Sequence, residues 1–128
     1  VWGRAEKSPH VPVICDVIGR YFGEEATTMF RVACSLSDRG VLEGLVRDAG
    51  FSSIQFRAGV KIARHPSLAE LLPAYFSAFP VAARIAAMPV EERDGMFRCM
   101  MTALTPYREG EGLAVPTENY ILTAEKRQ

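Results

Sequence analysis

Few residues of this 128-residue chain could carry chemistry, and they are scattered. Its two histidines are His10 and His65. His65 stands before Pro66 with no carboxylate or cysteine at ligand spacing, so general-base use would need a partner delivered by the fold. The plainer reading is a surface residue. Cys15, Cys34 and Cys99 lie at wide intervals, whereas metal sites need close pairs such as C-x2-C. They read as free thiols filling apolar space in a reducing cytoplasm. Glu91, Glu92 and Asp94 could imitate paired acids, but in the first turns of a helix they more simply offset its dipole. Met96, Met100 and Met101 with Phe97 offer either an adaptable pocket wall or ordinary core packing. Tyr75, Phe76 and Phe79 are the best wall candidates for an apolar ligand. No Ser/His/Asp or Cys/His array can be argued.

Those residues need a scaffold, and the composition allows one. Apolar residues make up 48% of the chain and the formal net charge is zero, as in a globular domain with a real core. The absence of a basic excess argues against nucleic acid or an anionic membrane as partner. The longest apolar runs are broken by Arg84 or by prolines, short of a membrane span. No secretory segment is visible, so a cytoplasmic location is expected. The chain opens on Val1-Trp2 without an initiator Met, which suggests a piece of something longer.

The scaffold centres on DRGVLEGLVRDAGFSSIQFRAGVKI, from Asp38 to Ile62. Val41, Leu42, Leu45, Val46 and Ala49 form one helical stripe. Ser37 or Asp38 can cap it, and Gly50 suits the left-handed position that ends it. From Ile54 the period becomes two, with Phe56, Ala58, Val60 and Ile62 sharing one face of a strand. Before this unit, a helix is expected from His10 or Pro12 to Phe22, then a helical turn from Glu24 to Met29 and a connector from Arg31 to Leu36. After it, Ser67 to Glu70 forms a capping box for a helix that contains Pro73 and ends near Pro80. An apolar segment runs from Val81 to Met88. A third helix starts at Pro89, with Phe97, Met100, Met101 and Leu104 inward and Met96 at the margin. The last strand, Leu113 to Ala124, carries an irregularity at Pro116. Its Tyr120-Ile121-Leu122 run suggests cover on both faces, and the tail from Glu125 to Gln128 should fray.

A strand ending in Val-Trp, then SLSDRGVLEGLVRDAGFSSIQF, SLAELLPAYFSAFPVA and LTPYREGEGLAVPTENYILTAEK, resembles the C-terminal half of class I S-adenosylmethionine-dependent methyltransferases. The likeness is to the small-molecule kind of ubiquinone/menaquinone type, and it spans nearly the whole chain. It implies an α/β fold, α+β when taken as a fragment: a partial Rossmann-like sheet with antiparallel final strands and several helices. Val1-Trp2 would end the fifth strand, Ser53 to Ile62 would be the sixth, and Leu113 to Ala124 the seventh, inserted antiparallel between them. One domain is expected, divided into 1–36 (strand end and cap helices), 37–64 (helix–strand unit), 65–106 (helical insertion) and 107–128 (final strand).

The same resemblance implies a small-molecule methyl acceptor. Trp2 would reach the carboxyl edge of the sheet, where such folds bind ligands. Arg4 and His10 on the same segment, with Tyr75, Phe76 and Phe79, complete the expected substrate contacts. S-adenosylmethionine would bind the full-length parent, but none is expected on this piece. The family's glycine-rich loop and ribose-binding acid are missing, and Gly110-Glu111-Gly112 stands in the order of a turn. The piece alone should therefore be inactive. Loss of the fifth strand should leave one edge of the final strand open and favour a homodimer. A non-catalytic α/β binding or dimerisation module is the rival reading, and a small helix-rich ligand carrier a third.

Overall fold

The computed structural model describes residues 1–126. In chain order it contains α1 (His10–Phe22), α2 (Thr28–Val32), α3 (Arg39–Asp48), β1 (Phe51–His65), α4 (Leu68–Ser77), α5 (Ala82–Ala86), α6 (Val90–Ala103), β2 (Arg108–Glu109) and β3 (Gly112–Lys126). Among the described residues these elements form a mixed α/β fold on an antiparallel sheet of order β1–β3–β2. No helix among them is long and apolar enough to cross a membrane.

Local chemistry sets the helix ends. The Asp38 carboxylate accepts from the Val41 amide at 3.0 Å, and Gly50 takes φ 86° where a side chain would be strained. Ser67 Oγ accepts from the Glu70 amide at 3.3 Å and starts α4. The α1 stripe buries Val11, Ile14, Cys15, Val17 and Ile18. These side chains meet Leu68, Leu72 and Phe76 of α4, Met96 and Met100 of α6, Leu104, and Leu113 and Val115 of β3 in one core. Met96 is fully buried while Phe97 and Met101 are only half-buried. The inner row of α6 is thus 96, 100, 104, spaced by four, and Met96 is central rather than marginal.

Three expectations about the strands change. β1 runs from Phe51 to His65, longer than its alternating stretch, and the helical region begins at Leu68, not at 65. Its register against β3 shifts between Ser52 and Gln55, and Ser53 takes a positive φ of 52°. Pro116 causes no irregularity, since it pairs with Ile62 in an unbroken register. The Tyr120 amide and carbonyl point away from β1, toward Val1. By alternation the Pro116 nitrogen points that way too, where no ladder bond is lost. The tail expectation fails for Glu125 and Lys126, which pair with Ser52 and Phe51, while Arg127 and Gln128 lie outside the described residues.

The expected open edge on β3 is closed only in part. β3 is the central strand: β1 covers one side along its length, and β2 pairs with it at Gly112 and Leu113. Val1 and Gly3 hydrogen-bond to Tyr120 and Glu118 on the other side. The long uncovered edge is the outer side of β1, guarded by Arg57, Lys61 and Arg64. The structure decides which face of β1 meets the core. Ala63 and His65 share the helix-facing side with Leu113 and Val115, whereas Val60 and Ile62 are 62% and 47% exposed. On that second face only Ile54 and Phe56 are partly covered; Phe56 packs on Tyr120 with ring centroids 4.9 Å apart. The α3 stripe buries Leu42 but leaves Val41 and Leu45 more than half exposed.

Gly112 is where the β2–β3 turn backs onto β1 and α4. A Cβ there would collide with the His65 carbonyl oxygen and approach the Pro66 backbone to 2.9 Å. Gly44, in α3, faces open space. Gly112→Ala should therefore lower unfolding stability by about 2–3 kcal/mol, whereas Gly44→Ala should raise it by about 0.5–1 kcal/mol. Urea midpoints of the two variants check both signs.

Candidate functional site

Between α1, α2, α4 and the helix-facing side of the sheet lies a cavity of about 510 Å³. Its walls bring together segments far apart in sequence: Trp2, His10, Phe30, Tyr75, Phe79 and Val115 among them. Aromatic packing fixes one wall. Phe30 stands 4.7 Å from Phe79 and 6.3 Å from Tyr75, centroid to centroid, and Tyr75 lies 5.1 Å from Phe79. Tyr75 and Phe79 face this space because they are four apart on and just beyond α4. Phe76 does not: it is 1% exposed, packs edge-on to Phe30 and Tyr75, and belongs to the core.

The cavity thus gathers four of the six residues singled out from sequence: Trp2, His10, Tyr75 and Phe79. Phe76 is turned inward, and Arg4 points elsewhere. Arg4 Nε and a terminal guanidinium nitrogen donate to the two Glu118 oxygens at 3.3 Å each, and its amide donates to Glu118 Oε1 at 3.0 Å. Its role here is to hold Glu118. Phe30 was missed, because it falls between the expected turn and the connector; its only signal was a lone aromatic in TTMFRV. His65 is half-buried and lines the cavity, with Nδ1 2.9 Å from the Ser67 carbonyl oxygen and 3.2 Å from the Ser67 amide nitrogen.

His10 opens α1 and its ring forms part of the wall. Burial lowers its pKa, so the imidazole is neutral at neutral pH. Its Nδ1 is buried without a hydrogen-bond partner. Burial also raises the pKa of Cys34 and of Tyr75, both wall residues, which keeps them protonated. Among the described residues the cavity walls carry no pair of acids. Among the described residues no cluster of three His, Cys, Asp or Glu could hold a metal ion.

Glu118 decides where Trp2 stands. This carboxylate is 6% exposed and lies beneath Gly3, where an added Cβ would come within 2.5 Å of its side chain. It accepts from Arg4 and from the Tyr120 hydroxyl at 3.0 Å, while its own amide donates to Ser8 Oγ at 3.1 Å. Hydrogen bonds from the Arg4 side chain first, then the Arg4 amide, outweigh the opposing burial and hold its pKa at about 2. The signal was visible as an acid inside an apolar strand, with a tyrosine two residues on along the same face.

Because the folded pKa lies below the ordinary 4.5, this group stabilises the fold above pH 4.5 and loses that contribution as pH falls toward 2. Glu118→Gln should cost about 2 kcal/mol at neutral pH, and should flatten the pH dependence of stability between those values. Urea unfolding of both proteins across that window checks it.

No family model matches the chain, and no curated protein or solved structure matches it.

Proposed function

We propose that this chain is the C-terminal, acceptor-binding portion of an S-adenosylmethionine-dependent methyltransferase acting on a small molecule. The observation that carries the reading is the strand arrangement. β3 runs antiparallel between β1 and the Val1–Gly3 segment, so its two neighbours are parallel to each other. That arrangement is what the resemblance implies for the last three strands of such a sheet. Support also comes from Trp2, which stands on the outer neighbour and lines a cavity walled by Phe30, Tyr75 and Phe79.

On this reading the donor's seat lies outside these residues. Gly110 takes φ 60° in the tight turn between β2 and β3, where its backbone serves a hairpin rather than a phosphate or a sulfonium. This chain's share of the work is therefore to bind the acceptor, fix its orientation and exclude water. Those are the main demands of methyl transfer from an already activated donor. The aromatic wall and the neutral His10 suit that share.

Calorimetry with S-adenosylmethionine tests the reading. The 128-residue chain should give no binding heat. The complete reading frame that contains it should bind the donor, transfer its methyl group, and carry a strand–glycine loop–helix before this stretch. A frame without that loop, or one that leaves the donor unbound, would favour a non-catalytic binding module instead.

A further inference from the structure

We propose that the cavity takes an uncharged, largely apolar, ring-containing molecule with a single hydroxyl group, and that the His10 imidazole meets that hydroxyl. The methyltransferase reading enters only in making this molecule the acceptor; the binding itself stands on the cavity.

The size of the space, about 510 Å³, is that of a small-molecule pocket. Its walls are mainly aromatic and aliphatic, so most of an occupant's surface must be apolar. Several polar wall groups are already engaged within the protein. The Thr117 hydroxyl donates to the Lys61 carbonyl at 3.0 Å, and Ser8 Oγ accepts from the Glu118 amide. His65 Nδ1 faces the Ser67 backbone, and the Arg64 guanidinium reaches Glu109 at 3.5 Å. His10 differs. Among the described residues two buried side-chain atoms lack a partner, His10 Nδ1 and Arg108 Nε, and of these two residues only His10 lines the cavity. That Nδ1 is too buried for an occupant to reach, whereas Nε2 is not among the buried unpartnered atoms and has no hydrogen-bond partner among the described residues, so it is the ring nitrogen that an occupant's hydroxyl can meet.

The charge of the ligand follows from the same walls. A neutral imidazole has one donor and one acceptor nitrogen, and a hydroxyl can serve either. A carboxylate would give up its hydration, and the wall cation Arg64 already faces Glu109. Neutral hydroxylated rings should therefore bind better than the bare ring, and better than the ring bearing an anion.

The test uses this chain at neutral pH and three probes, naphthalene, 2-naphthol and 2-naphthoate, with affinities read by amide NMR titration. 2-Naphthol should bind about tenfold more tightly than naphthalene, and 2-naphthoate should be the weakest. His10→Phe should abolish the advantage of the hydroxyl and leave naphthalene affinity within about twofold. His10→Gln should restore part of it. Amide dispersion shows whether each variant is folded; if neither folds, the order of the three probes on the native chain decides. Absence of binding by all three, equal affinity for naphthol and naphthalene, preference for the naphthoate, or an advantage that survives His10→Phe would overturn the proposal. Methyl transfer is not needed for any of these readings. An intact probe order without methyl transfer by the complete frame would sink the enzyme reading alone.

Discussion

The ionised Glu118 side chain, buried under the first turn of backbone, is the constraint from which the rest of the site follows. A carboxylate in that position is tolerated only because the Arg4 guanidinium and amide and the Tyr120 hydroxyl all donate to it. Removing any one donor leaves charge behind in a poorly solvated place. The requirement works in both directions: β3 cannot keep Glu118 inward unless the first four residues lie across it. Gly3 fits there because it has no side chain.

Once that segment is seated, the path to the cavity is short. Val1 and Gly3 continue the ladder on the side of β3 away from β1, and Trp2 pairs with Asn119. Ser8, bonded to the Glu118 amide, fixes the chain two residues before α1 begins. His10 is thereby held against the sheet while the buried face of α1 packs into the core. The opposite wall is set independently by α4, whose start is fixed by the Ser67 cap and whose aromatic side chains interlock with Phe30. Binding and stability share one set of contacts here, so the site is a consequence of the core rather than an addition to it.

What the sequence disclosed is what depends on near neighbours. The caps at Asp38 and Ser67 and the stop at Gly50 are local, and each stands in the structure, while the strand expected from Ile54 begins at Phe51. Tyr75 and Phe79 were legible as wall residues from their spacing and bulk. Partner choice was not legible. Arg4 and Glu118 are separated by 114 positions, and no local pattern distinguishes a loop arginine from one paired with a buried acid. Which face of β1 would be covered was not legible for the same reason. Alternation marks Ala58, Val60 and Ile62 as one face, but only the positions of the packed helices decide which face meets the core. Phe76 illustrates the limit on a helix: one residue of rotation turns it from the cavity into the core.

Hydrogen exchange at the Gly3 and Tyr120 amides tests this account most directly. Both donate across the junction between the first residues and β3. In the native chain their protection should approach that of the amides joining β1 to β3. In Glu118→Gln it should fall at those two amides while the β1–β3 ladder keeps its protection. Exchange at unprotected rates in the native chain, or unchanged protection in the variant, would contradict the claim that this one carboxylate seats the segment bearing Trp2.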